Sequence, residues 1–167
     1  MKMITVGLLF ACLALAQKIN IESDQAVDFS KFHTFAIRGA QLNSKNPALN
    51  GELIRKRLDA DIQKYLEAKG LRFVASGASD LNVRYTLGAV RKVETEAYPA
   101  GWRGWGTRIV RVPFTEGTLV IDLRDPATRS LVWRAIATED KGDASKVEGK
   151  LDDMVKKSID KYPPKAK

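Results

Sequence analysis

Apolar and polar positions follow several distinct patterns along the chain. From Met3 to Leu13 the residues are almost all apolar, with Lys2 ahead of them and Ala14-Leu15-Ala16 behind. A positive residue, a short apolar run and a small-x-small site, in that order, predict a signal peptide over residues 1–16, cut before Gln17. The run is shorter than the roughly 20 residues of a membrane-spanning helix. Beyond it, Lys18-Ile19-Asn20-Ile21-Glu22 and Thr34-Phe35-Ala36-Ile37-Arg38 alternate in character and predict half-buried strands. Between Asn50 and Lys69 the period changes: Leu53, Ile54, Leu58, Ile62, Tyr65 and Leu66 recur at steps of three and four, which places them on one helical face. Gly70 follows where a left-handed cap is wanted.

The middle of the chain returns to period two. Leu81, Val83, Tyr85 and Leu87 form one alternating set, Leu119, Ile121 and Leu123 a second, and Leu131, Trp133, Ala135 and Ala137 a third. Asp125-Pro126-Ala127-Thr128 is a turn signal, so the last two sets are expected to pair as an antiparallel hairpin. A final helix is predicted from Ser145 as cap, through Val147, Leu151, Met154, Val155 and Ile159, to the stop at Pro163-Pro164. Gly39 to Asn50, with Asn43, Ser44, Asn46 and Pro47 and no period, reads as a surface connection. The expected architecture is α+β: an antiparallel meander with two amphipathic helices packed on one face, in a single domain over residues 17–167.

Composition supports a folded globule, with 44% hydrophobic and 29% charged residues. The formal net charge is +8, to which the leader contributes only Lys2. An exported basic protein meets anionic lipid headgroups, acidic polysaccharide and acidic proteins, so nucleic acid is not expected as a partner. Cys12, the one cysteine, lies in the leader, which leaves the mature chain without a disulfide or thiolate ligand. His33 is the one histidine, which excludes multi-histidine metal sites. Neither a metal nor a cofactor is expected. The alternative for the leader is a lipobox, Leu9-Phe10-Ala11-Cys12, with Cys12 lipidated and the chain anchored as an outer-membrane lipoprotein. Phe10 is bulky where such motifs are small, and cleavage after Ala16 is the favoured reading.

Several segments together resemble a known family. They are Asp28-Phe29-Ser30-Lys31-Phe32-His33-Thr34-Phe35, Ala68-Lys69-Gly70, Ser79-Asp80-Leu81-Asn82-Val83-Arg84-Tyr85, Gly117-Thr118-Leu119-Val120-Ile121-Asp122-Leu123-Arg124-Asp125, Leu131-Val132-Trp133-Arg134 and Tyr162-Pro163-Pro164. In this order and spacing they resemble the bacterial envelope proteins catalogued as domain of unknown function 4136, over nearly the whole mature chain. The resemblance implies a Gram-negative envelope protein, commonly a lipoprotein, without an attached enzyme activity.

The most conspicuous candidate for binding is the glycine-rich segment Tyr98 to Arg108. Tyr98, Trp102, Arg103, Trp105 and Arg108 supply large amphipathic contact area there, the residue types found at binding hot spots. Its alternative is a hairpin loop whose tryptophans fold back on the sheet. From Leu81 to Phe114, Arg84, Arg91, Lys92, Arg103, Arg108 and Arg111 outweigh Glu94 and Glu96, so a basic ribbon is expected. His33 has no nucleophile signature beside it and reads as structural or superficial. Asp80 suits capping or strand entry, Asp125 a turn, and Trp133-Arg134 a core tryptophan beside an outward cation. The function expected is non-enzymatic: binding, assembly or structural support in the periplasm or cell envelope, towards a protein, glycan or anionic lipid surface. The rival is an envelope glycan (peptidoglycan) hydrolase with paired carboxylates such as Asp122 and Asp125, which would face each other across a groove at about 5 to 10 Å.

Overall fold

The computed structural model describes residues 17–44, 46–99, 107–142 and 144–164, with 89–99, 107–116, 140–142 and 144 described through their backbone alone. The elements in chain order are β1 (Lys18–Ser23), β2 (Thr34–Leu42), α1 (Glu52–Ala68), β3 (Arg72–Phe73), β4 (Leu81–Pro99), β5 (Thr107–Arg124), β6 (Leu131–Gly142) and α2 (Ala144–Ile159), with short 3-10 turns at Phe29–Lys31 and Pro47–Leu49. Each strand and helix expected from the periodicity is present. The six-stranded sheet has the order β1-β6-β5-β4-β2-β3.

The α+β class holds, but the sheet is mixed and not a purely antiparallel meander. β1, β6, β5 and β4 pair antiparallel in succession, whereas β2 runs parallel to both β4 and β3. The physical reason is the connection. A strand followed by a helix that packs on the sheet is carried back to its starting end, so the next strand lies parallel to it. Here α1 makes that return between β2 and the pair β3 and β4.

Alternation decides which face is buried. Leu81, Val83, Tyr85, Leu87, Leu119, Ile121, Leu123, Trp133, Ala135 and Ala137 are all buried. Against them lie Ile54, Leu58, Ile62 and Leu66 of α1 and Val147, Leu151, Met154, Val155 and Ile159 of α2 in one core. Two positions of the expected stripe behave differently. Leu53 is 80% exposed, because it sits one residue off the row that begins at Ile54, and each residue turns a helix by about 100°. Tyr65 is half-buried and uses its hydroxyl, which donates to Asp152 of α2 at 2.8 Å. Gly70 takes a φ of 89° as the expected left-handed cap. The last helix begins at Ala144, one residue before the serine expected to cap it.

The segment expected to be a surface connection is one only in part: Asn43, Pro47, Ala48 and Asn50 are exposed between β2 and α1, but its start and Leu49 depart from the expectation. Gly39 to Leu42 extends β2, and Leu49 is fully buried. Asn46 accepts from the Ala48 N–H at 3.0 Å and Asn50 from the Ser44 N–H at 2.9 Å, so the polar residues fold a short turn that delivers Leu49 inward.

Two details set the sheet's register. Gly117 follows a bulge in β5, and a Cβ built there would stand 2.6 Å from Val147 Cγ1, so glycine lets α2 approach the sheet. Asp80 ties the start of β2 to the start of β4. Its Oδ2 accepts the N–H groups of His33 and Thr34, each at 2.9 Å, and its own N–H donates to Thr34 Oγ1 at 2.9 Å. The Asp80 carboxyl is held below its ordinary value, chiefly by the His33 backbone hydrogen bond and then by the Thr34 side chain. A depressed native pKa contributes stability above the unfolded value, about 3.9 for aspartate, and that contribution is lost as the pH falls through the native value. Asp80→Ala is therefore expected to cost about 1.5–3 kcal/mol at neutral pH, with the gap to the wild type closing as the pH drops below about 4. Urea denaturation of both proteins across that range checks it, and a gap independent of pH would remove the ionic role.

Candidate functional site

Two places follow from this sheet. The first is the ribbon formed by the far halves of β4 and β5. β2 pairs with β4 only as far as Leu87, and β6 pairs with β5 only from Thr115 onward. From Lys92↔Phe114 to Pro99↔Thr107, β4 and β5 thus pair with each other and with no third strand among the described residues. Near its end Tyr98 stands opposite Arg108. Of the residues expected to form the binding segment, these two are placed at facing positions of the ribbon backbone. Trp102, Arg103 and Trp105 lie outside the described residues, as does Cys12 in the leader. Arg91, Lys92 and Arg111 are also on the ribbon backbone.

The second place is the face of the sheet opposite the helices, and only part of it was anticipated. Residues that alternate with the core form a charged row across four strands: Arg84 of β4 is in register with Asp122 of β5, Asp122 with Arg134 of β6, and Arg134 with Glu22 of β1. The row is not evenly paired. Arg134 takes both oxygens of Asp122, through Nε at 2.7 Å and Nη2 at 2.9 Å, and lies 4.0 Å from Glu22. This bidentate bond to Asp122 raises the Arg134 pKa. Arg124 reaches Asp122 only at 3.8 Å, and its buried Nε has no hydrogen-bond partner.

Beside this row is a concavity of about 380 Å³, lined by Arg38, Arg84, Arg124 and Arg129 together with Asn82 and the Asp125-Pro126 turn. Local backbone features aim these arginines. Arg38 is the extra residue of a bulge, since Ile37 pairs with Val83 and Gly39 with Arg84. Its guanidinium donates to the Gly77 carbonyl. At Gly39 the missing side chain makes room for Arg84, whose Cγ would be 3.3 Å from a Cβ built there. Arg129 closes the β5–β6 turn with a φ of 59°, a left-handed conformation that costs a residue with a Cβ about 1–2 kcal/mol. Asp125 serves that turn as expected, accepting from Ala127 N–H at 2.8 Å, and also lies 3.7 Å from Lys31.

The remaining expected residues take simpler places. Trp133 is fully buried while Arg134 faces outward. His33 is exposed, and its interactions with Asp80 and Arg72 run through its backbone. Among the described residues no group of three or more His, Cys, Asp or Glu side chains gathers as metal ligands, and no helix is long and apolar enough to cross a membrane. Arg38, Arg124 and Arg129 were not anticipated as site residues. Alternation along β5 puts Arg124 on the face of Asp122, but Arg38 and Arg129 reach it through a bulge and a left-handed turn that carry no periodic signal.

The architecture defines an α+β domain in which a mixed sheet has helices on one face and charge on the other. The chain belongs to the family described as Domain of unknown function (DUF4136), whose family model matches residues 19–164. No curated protein matches the sequence. Among solved structures, a PDZ domain protein from Parabacteroides distasonis is similar with a TM-score of 0.58 and 16% identity, over 89% of this chain and 35% of that one. This chain thus spans about a third of that protein's length. The PelC dodecamer from Paraburkholderia phytofirmans is similar with a TM-score of 0.51 and 13% identity, over 86% of this chain and 95% of that one. At these identities the likeness is one of fold.

Proposed function

We propose that this is a non-enzymatic, exported protein of the bacterial cell envelope that acts by binding or assembly through the β4–β5 ribbon and its tip. The observation that carries this reading is the run of strand pairs from Lys92↔Phe114 to Pro99↔Thr107 that no third strand supports among the described residues. A lone two-stranded ribbon is only marginally stable in water, and its two edges present free backbone groups to a further strand. A partner that adds to an edge or covers a face supplies what the ribbon lacks. The segment it carries, from Tyr98 through Trp102, Arg103 and Trp105 to Arg108, adds aromatic and cationic contact area.

The leader pattern supports export, with release after Ala16 and anchoring at Cys12 as the alternative. The partner is an envelope component: a protein, a glycan or an anionic lipid surface. That PelC, which shares the fold, is described as a dodecamer is compatible with assembly. The alternative is an envelope glycan hydrolase with paired carboxylates; the non-enzymatic reading is supported by the bonds that Asp122 makes to Arg134 and Asp125 makes within its turn.

The test is the double variant Trp102→Ala/Trp105→Ala. The expected result is a melting temperature close to the wild type with reduced retention on envelope fractions. A large loss of stability with unchanged retention would show that the tryptophans are core residues and overturn the proposal.

A further inference from the structure

We infer that the face of the sheet opposite the helices holds an oxyanion site, in which Arg38, Arg84, Arg124 and Arg129 receive a phosphomonoester group. The lining is strongly cationic. Four arginines and a single acidic residue, Asp125, line the same concavity, and the Asp125 carboxylate already accepts from Ala127 and faces Lys31. Asp122, which Arg124 approaches at 3.8 Å, gives both oxygens to Arg134. Neither Arg84 nor Arg129 has an ion-pair or hydrogen-bond partner for its side chain among the described residues, and the buried Nε of Arg124 is an unsatisfied donor. Clustered like charges repel, and a buried donor without an acceptor is unfavourable, so an anion entering here relieves both.

Donor geometry selects the class of anion. A guanidinium presents its N–H groups as a planar fork, which suits the oxygens of carboxylate and phosphate. A carboxylate carries one charge and two oxygens, enough for one fork. A phosphomonoester carries up to two charges and three terminal oxygens, so it can engage several guanidinium groups together. The volume of about 380 Å³ leaves room for the organic group attached to it, within the range of small-ligand sites. Construction of the site points the same way. Arg129 occupies a left-handed position that glycine fills without strain, and Gly39 leaves open the space that the Arg84 stem needs.

The strain at Arg129 permits a variant that separates binding from folding. Glycerol 3-phosphate is titrated into the wild type, Arg84→Gln, Arg129→Gly and the α1 surface variant Arg57→Gln, at matched ionic strength, with acetate and chloride as comparison anions. The expected result is that glycerol 3-phosphate binds in preference to acetate and chloride. Arg84→Gln and Arg129→Gly each weaken it by about tenfold or more, the size of one lost charge-assisted hydrogen bond, while Arg57→Gln does not. Arg129→Gly should melt no lower than the wild type. A parallel arm uses vesicles of phosphatidylcholine with and without phosphatidic acid. Binding to phosphatidic acid that is lost in Arg129→Gly, without binding of glycerol 3-phosphate, assigns the phosphate to a lipid headgroup. Equal response to phosphate, acetate and chloride, or equal losses in Arg57→Gln and Arg84→Gln, would overturn the inference in favour of unspecific attraction.

Discussion

Replacing Trp133 by alanine is expected to cost about 3–5 kcal/mol, the range for truncating a large buried aromatic. Trp133 is fully buried on β6, and its ring meets Tyr162 edge-on, with centroids 5.8 Å apart at 88°. Tyr162 in turn meets Phe29, and Phe29 meets Phe32, also edge-on. Burial pushes the Tyr162 hydroxyl up to about 12. This chain of rings ties the β1–β2 connection and the end of α2 to the sheet, so the truncation leaves a cavity and also releases two segments. Trp133→Phe should cost much less. It keeps an aromatic ring and deletes the indole N–H, which is buried without a partner and contributes nothing that the variant would forfeit. Urea denaturation of both variants decides the point: a cost under about 1 kcal/mol for Trp133→Ala would contradict its place in a close-packed core.

Leu58→Ala and Leu151→Ala are expected to cost about 2–5 kcal/mol each. Both side chains are fully buried, one on each helix, against the same sheet face. The helices also touch one another through the Tyr65–Asp152 hydrogen bond and the Lys64–Asp152 pair at 3.6 Å. That pair is exposed to solvent and contributes little beside the apolar contacts. Lys56→Ala is expected to change stability hardly at all. Lys157→Ala should cost at most about 0.5 kcal/mol through its exposed partner Asp153. Chemical denaturation that failed to separate the leucine from the lysine variants would mean that apolar burial is not what holds the helices.

Much of this was legible in the sequence because alternation and helical spacing are local signals. Leu81 to Leu87, Leu119 to Leu123 and Trp133 to Ala137 declare which side chains share a face, and the stripe from Val147 to Ile159 declares which side of α2 is apolar. The Asp125-Pro126 turn foretold the β5–β6 hairpin, and Asp80 its role at strand entry. Leu53 and Leu49 depart from expectation for opposite reasons. Leu53 lies close to the apolar stripe but turns away from the core, whereas Leu49 lies in a stretch without period that folds inward.

The sequence by itself determined the identity of the elements and most of the buried set, because each depends on residues within a few positions of one another. Apart from the β5–β6 hairpin, only the tertiary structure decided which strands are neighbours and in which direction they run. That choice depends on how α1 returns the chain after β2 and on where α2 meets Gly117. The same long-range packing assembled the arginine-lined concavity. Arg38, Arg84 and the pair Arg124 and Arg129 come from separate parts of the chain, and they converge because a parallel pairing sets β2 beside β4, a bulge turns Arg38, and a left-handed turn aims Arg129.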